Sequence, residues 1–279
     1  MKISGFNNAV ILLDKPEGKT WFELISEVRR ITGIKKIGHC GTLDKFASGL
    51  MILCTGQATK LTRYFLESDK RYTGRIRIGI ETDTCDITGN VTCEKPFSSV
   101  DWNFAADTLS GFTGTISQIP PRYSALKVEG KRASDRMRSG EEVNLPAREV
   151  TIYNLSVTGY NKSEGTIDFQ AFCSKGTYIR SIARDFGEKL GTGACLSELK
   201  RTASGHFSIS QAASIEILRE CAADLNPGEM FFVHNPSDVL RNFSSMIIDK
   251  PGTARVLNGA LFERENVVML KKGKDDFFV

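Results

Sequence analysis

Gly38-His39-Cys40-Gly41-Thr42-Leu43-Asp44-Lys45-Phe46-Ala47-Ser48-Gly49 sets one carboxylate in a glycine-bounded turn, with a histidine five residues before it. Three glycines in twelve residues call for a backbone that bends sharply or approaches another group closely. An aspartate placed there is either a turn-former or a working group. The rest of the chain bears on which.

On the N-terminal side, Ala9 to Leu13 reads as a short apolar strand that ends at the turn Asp14-Lys15-Pro16-Glu17-Gly18. Thr20 followed by Glu23 is a capping-box signature. Trp21, Leu24, Ile25, Val28 and Ile31 then keep helical spacing up to a stop at Gly33. On the other side of the loop, Leu50 to Cys54 predicts a buried strand and Gln57 to Leu66 a helix. Arg75 to Ile80 alternates with period two, which predicts a strand with one polar face. Val150–Val157 and Thr166–Cys173 read as paired strands joined through Gly159 to Gly165. Tyr178, Ile179, Ile182, Phe186 and Leu190 mark an amphipathic helix closed by Gly191. Regular βαβ alternation is missing, so the expected class is α+β, with a mixed, largely antiparallel sheet flanked by helices. The main unit is expected over 1–227 and a small C-terminal unit over 228–279, with Asn226-Pro227-Gly228 as linker and a strand-rich piece from Met246 to Val279.

Charge is unevenly placed. Between Arg122 and Arg138 lie six basic residues against Glu129 and Asp135, an excess equal to the +4 of the whole chain. A localised basic surface is the footprint of a polyanion binder, although a solvated helix face has the same composition. Seven cysteines, an odd number without a C-x-x-C pair, argue against a disulfide framework and a zinc site. They suit a reducing compartment. The absence of a long apolar run predicts a cytoplasmic protein without a membrane span.

Several chemistries fail on inspection. Gly18-Lys19-Thr20 lacks the glycine five positions earlier that a phosphate loop needs; Leu13 stands there. There is no G-x-S-x-G and no H-E-x-x-H, and the dispersed His39, His206 and His234 do not suggest a metal site. The aspartate loop remains the best catalytic candidate.

At His39 and Gly41-Thr42-Leu43-Asp44 the chain resembles the bacterial TruB family of tRNA pseudouridine-55 synthases. Five further words fall in that family's order: Leu13-Asp14-Lys15-Pro16 with Gly18 and Thr20; Ser68-Asp69-Lys70-Arg71-Tyr72; Tyr123-Ser124-Ala125-Leu126-Lys127 with Gly130-Lys131; Ser174-Lys175-Gly176-Thr177-Tyr178-Ile179-Arg180; and Leu199-Lys200-Arg201-Thr202. Lys45 stands where the family usually has proline, and Trp21 where it usually has a small hydroxylic residue. The C-terminal piece is shorter than a typical RNA-binding PUA domain.

The resemblance implies a pseudouridine synthase fold with a reduced PUA-like C-terminal piece. It also implies isomerisation of uridine 55 in the T loop of tRNA, without metal or organic cofactor. By that match Asp44 is the essential carboxylate, attacking C1′ or removing the 2′ proton. Tyr72 stacks on the uracil and helps remove the C5 proton, and Arg180 pairs with Asp44. His39 fills the space left by the flipped base. Leu199 walls the uracil pocket. Lys19, Lys60, Tyr178, Lys127, Lys131 and Arg132 are substrate-binding candidates, the last three in an RNA-clasping insertion at about 118–145. The expected partner is the tRNA T arm, bound by a monomer that needs no protein partner. Two other readings are the catalytic subunit of a guide-RNA pseudouridylation particle and a tRNA-folding RNA-binding protein.

Overall fold

The computed structural model describes residues 4–128, 130–223, 230–240, 243–273 and 275–278. The chain begins with β1 (Val10–Lys15), α1 (Trp21–Thr32), β2 (Ile37–His39) and β3 (Ser48–Thr55). A 3-10 turn at Gly56–Leu61 leads to α2 (Thr62–Leu66), the long β4 (Lys70–Ile78), and a hairpin of β5 (Ile80–Thr82) and β6 (Val91–Glu94). Next come α3 (Trp102–Ser110) and β7 (Gly114–Gln118). The basic segment folds as a short hairpin, β8 (Lys127–Val128) and β9 (Lys131–Arg132), followed by α4 (Ala133–Arg138). β10 (Arg148–Asn161), β11 (Thr166–Cys173), α5 (Ile179–Leu190) and β12 (Ala194–Ser204) complete the centre. β13 (Phe207–Ser208), α6 (Ile215–Ala223), β14 (Val233–His234) and α7 (Pro236–Val239) return to the sheet edge.

Local signals explain the element ends. The Thr20 hydroxyl accepts from the Glu23 amide at 3.2 Å while the Thr20 amide donates to the Glu23 carboxylate at 2.7 Å, closing the capping box at the start of α1. Gly33 and Gly191 end α1 and α5 in left-handed conformations, with φ of 69° and 74°. Several boundaries move from the sequence expectation: β4 spans Lys70–Ile78, and β10 runs to Asn161, so that Gly159 pairs with Asp168 within the strand. β1 runs on through Asp14 and Lys15, because both pair with β3 opposite Leu50 and Gly49. The expected helix after β3 starts as a 3-10 turn and becomes α-helical only at Thr62.

The main sheet has the order β14-β1-β3-β12-β4-β11-β10-β7, with β2 added on β3 and β13 on β12. Every pairing in it is antiparallel except β3 with β12, where Ser48 and Gly49 meet Lys200 and Arg201. The mixed, largely antiparallel α+β architecture is therefore as expected. Alternation on β11 sends Ile167, Phe169, Ala171 and Cys173 into the core, against which α5 packs Ile179, Ile182, Ala183 and Phe186. Each of the buried isoleucines and phenylalanines among these contributes on the order of 1.5–3 kcal/mol.

The core does not stop at residue 227. Phe232 is fully buried, Val233 and His234 pair with Ile11 and Val10, and Val239 of α7 is buried in the same cluster. The unit built on the main sheet thus extends to about 240, because β14 supplies an edge partner for β1. The expected linker at 226–228 lies outside the described residues. Beyond it, β15 (Phe243–Ile248), α8 (Lys250–Leu257), β16 (Val267–Lys271) and β17 (Asp275–Phe278) form a separate three-stranded sheet with one helix.

Candidate active site

The loop between β2 and β3 is held from inside by two buried cations. Lys15 is fully buried at the end of β1, and its ammonium donates to the carbonyls of Pro16 (2.9 Å), Lys45 (3.4 Å) and Ala47 (2.5 Å). Burial draws its pKa down to about 8, against the pull of Asp44 and other nearby carboxylates. Arg201 of β12, 1% exposed, donates from Nε to Leu50 O at 2.7 Å and from Nη2 to Gly41 O at 3.2 Å. Backbone bonds from Gly18 N to Lys45 O (2.9 Å) and from Ala47 N to Asp44 O (3.2 Å) tighten the turn. Gly49, at φ 107°, lies so close to β12 that a Cβ would stand 2.4 Å from Arg201 O. The glycine exists for that approach.

This frame presents Asp44 to Arg180, which sits in the first turn of α5. Arg180 Nε lies 2.8 Å from Asp44 Oδ2, and Nη2 donates to Oδ1 at 3.2 Å. The rest of the guanidinium is also engaged. Nη1 donates to Thr84 O (2.9 Å) and to Asp86 Oδ2 (3.3 Å), and Nη2 to Tyr123 O (2.9 Å). The Arg180 side chain is only 6% exposed, whereas that of Asp44 is 42% exposed, so the carboxylate opens to the cleft and the cation does not. Loss of water at the cleft floor pushes the Asp44 pKa up. Arg180 pulls it down and the Asp86 charge pushes it up again. An ionised carboxylate there depends on its guanidinium.

The cleft has a volume of about 230 Å³, and Asp44, Tyr72, Tyr178, Arg180, Lys70 and Arg201 are among the residues lining it. Tyr72 of β4 is paired with Arg201 of β12. Burial raises its phenol pKa, and Arg201 works against that. The Tyr178 backbone is clamped by the buried Gln118 amide, which accepts from Tyr178 N at 2.8 Å and donates to Tyr178 O at 3.1 Å. The neighbouring Lys70 is also buried, with its ammonium on the carbonyls of Leu66 and Ser68 and its pKa drawn down to about 8 by burial.

Of the residues singled out in the sequence, Asp44, Tyr72, Arg180 and Tyr178 come together in one cleft. Leu199 is buried but lines a neighbouring depression with Phe46, Gly74 and Phe169 instead of this cleft. Its partner on β4 is Gly74, two residues beyond the cleft-lining Tyr72. Lys19 is ion-paired with Glu27 at 2.5 Å. Lys60 is exposed on the 3-10 turn, and Lys127, Lys131 and Arg132 are exposed on the β8–β9 hairpin. His39 lies in β2 beside the loop, its ring against Trp21. Among the described residues no group of His, Cys, Asp and Glu side chains is arranged to hold a metal ion, and no helix is long and apolar enough to cross a membrane.

The family model for the N-terminal domain of TruB pseudouridylate synthases matches residues 29–179, more than half of the chain. The chain belongs to the TruB family. The model of the tRNA pseudouridylate synthase B C-terminal domain matches residues 180–229. Relatives named tRNA pseudouridine synthase B include that of Prochlorococcus marinus, 42% identical over 74% of this chain and 65% of its own length. The one from Bordetella parapertussis is 42% identical over 76% of this chain and 87% of its own, and the one from Caldanaerobacter subterraneus 38% over 93% and 86%. Among solved structures, a Cbf5-Nop10-Gar1 complex is similar with a TM-score of 0.71 at 24% identity, covering 97% of this chain and 73% of that one. At that identity the likeness is one of fold.

Four residues had no role assigned from sequence: Arg201, which lines the cleft, and Asp86, Lys15 and Gln118, which hold its lining residues or their loop from behind. Asp86 lies in a polar hairpin whose composition signals only a turn, and its partner Arg180 is 94 positions away. Lys15 and Arg201 stand inside recognised motifs, yet a lysine or arginine in a strand carries no local mark of burial.

Proposed function

We propose that this TruB-family protein is a tRNA pseudouridine synthase that converts uridine 55 of the T loop to pseudouridine. The observation that carries the reading is the forked Arg180–Asp44 contact at the floor of a cleft that also exposes Tyr72. The family membership and the names of the relatives support the substrate. The reaction breaks the C1′–N1 bond and joins C1′ to C5 of the same base, so nothing enters or leaves except the proton exchanged at C5.

In this reading the Asp44 carboxylate acts on the sugar, at C1′ or at the 2′ proton, while Arg180 keeps it ionised and aimed. Tyr72 stacks on the uracil and assists removal of the C5 proton. Uridine 55 lies within a folded loop and must be turned out, at a cost of a few kcal/mol, before it enters a cleft of this size. His39 takes the space it leaves, and the β8–β9 hairpin with Lys127, Lys131 and Arg132 closes on the phosphates of the T arm. Lys19 is a phosphate contact only after release from Glu27, and Lys60 extends the basic surface. Leu199 of the central strand β12 backs the base from the neighbouring depression. The protein works as a cytoplasmic monomer on bare tRNA.

A T-arm stem-loop carrying tritium at uracil C5 tests substrate and chemistry together. Release of label to water by the protein alone is the expected result. No release at stoichiometric protein, or release only after addition of a guide RNA and further proteins, overturns the proposal.

A further inference from the structure

His39 is held in an unusual way. Working imidazoles are commonly oriented by a hydrogen bond from one ring nitrogen to a carboxylate or a carbonyl. Here Nδ1 is buried and has no hydrogen-bond partner. What lies against the ring instead is the indole of Trp21, with centroids 4.4 Å apart and planes inclined by 40°. Trp21 is itself fixed at the first position of α1 by the Thr20–Glu23 capping box, and its ring also makes a T-shaped contact with Phe22, centroids 5.9 Å apart and planes at 89°. Phe22 is 58% exposed, so Trp21 has ring contacts both with His39 of β2, beside the Asp44 loop, and with a surface residue.

The electrostatics suit a stacking ring. Burial, with Arg201 and Arg132 nearby, holds the His39 pKa below its usual value. A protonated imidazole would also need an acceptor at Nδ1, and there is none. The ring is therefore neutral near pH 7, flat and able to stack on bases, and its orientation comes from packing.

We infer that Trp21 is a positioning residue for base flipping: its indole fixes the plane of the His39 ring, so that the ring enters the stack as the target uridine leaves. The inference rests on the proposed role of His39 in the vacated space. Trp21 does not touch the reacting atoms; it acts through His39, by keeping the ring from turning about its side-chain bonds before RNA arrives. An aromatic pair of this kind is worth about 0.5–1.5 kcal/mol, which corresponds to roughly a two- to twelvefold effect on the flipped population.

A double-mutant cycle separates this role from a structural one. Wild type, Trp21→Ser, His39→Ala and the double variant are compared by single-turnover tritium release at saturating protein, with thermal unfolding recorded for each. Trp21→Ser is expected to slow release about fivefold in the wild-type background and less than about twofold in the His39→Ala background. Trp21→Phe, which keeps a ring at the contact, is expected to restore most of the rate. Equal losses in both backgrounds, or no loss on Trp21→Ser, overturn the inference. A general weakening of α1 lowers the rate alike in both backgrounds, so it counts against the inference and cannot imitate it. A wild type that releases no label is a failure of the proposed function instead, and is seen before the cycle begins.

Discussion

The Asp44 loop and the basic hairpin at 127–132 are both short connections, and they are built in opposite ways. The loop buries Leu43, Phe46 and Ala47 and has its carbonyls bound by Lys15 and Arg201. The hairpin exposes Lys127, Lys131 and Arg132. It is anchored at its base, where Leu126 O accepts from Ala133 N at 2.7 Å and Ser124 O from Ser134 N at 3.1 Å. Arg180 contacts the loop through Asp44 and, through Tyr123 O, the segment that leads into the hairpin. The contrast has a physical sense. Reactive groups must be in place before substrate arrives, because reorganisation during the reaction raises the barrier. Charges that meet a flexible polyanion gain from staying hydrated and adjustable until contact.

If the division is right, changes in the loop act on the rate at saturation and changes in the hairpin act on affinity. Asp44→Asn is the severest break: single-turnover release should fall by at least about 10⁴-fold, with T-arm binding kept within about threefold by filter retention. Arg180→Lys replaces a fork by a point charge, and should cost about 10²–10³-fold in rate while lowering thermal stability, since Asp86 is left buried without its guanidinium. Lys15→Met takes a donor from Pro16 O and from the loop carbonyls of Lys45 and Ala47, so about 3 kcal/mol of stability in urea titration and about tenfold in rate should go together.

Joint replacement of Lys127, Lys131 and Arg132 by Gln should instead weaken T-arm binding about tenfold near 0.1 M salt and flatten the salt dependence by about two to three ions. The saturated rate should stay within about twofold; a large fall in it would erase the contrast. The smallest expected effect is on pH. In the proposed mechanism the ionised Asp44 acts on the sugar, and its pKa is raised, so the rate should fall as pH drops through that raised value. The acid limb of the single-turnover profile should therefore lie above the ordinary aspartate range near about 4. A limb at or below that range would mean that Arg180 outweighs burial.

Much of the local structure was legible in residue order. The Thr20–Glu23 box, the stops at Gly33 and Gly191, and the alternation that became β4 and β11 each depend on neighbours within a few positions. The cleft was legible by resemblance, through Asp44, Tyr72, Tyr178 and Arg180. Leu199 was expected in that cleft and lies beside it. Lys19 reads in sequence as a substrate-binding candidate; in the fold it precedes α1 and is ion-paired with Glu27, two turns into that helix. A side chain's burial and partners depend on what the sheet brings next to it, and this is where single residues mislead.

The sequence by itself determined which segments become strands and helices, the glycines of the Asp44 loop and the order of the family's motifs, because each is a short-range property of the chain. Only the tertiary structure decided that Lys15 and Arg201 are buried supports of that loop, that Asp86 shares Arg180 with Asp44, and that Trp21 lies on His39. Those contacts join residues from 18 to 160 positions apart, and the parallel meeting of β3 with β12 and the packing of α5 bring several of them together. In an isolated segment these charges would be hydrated and without fixed partners; the fold removes the water and so gives each of them one arrangement.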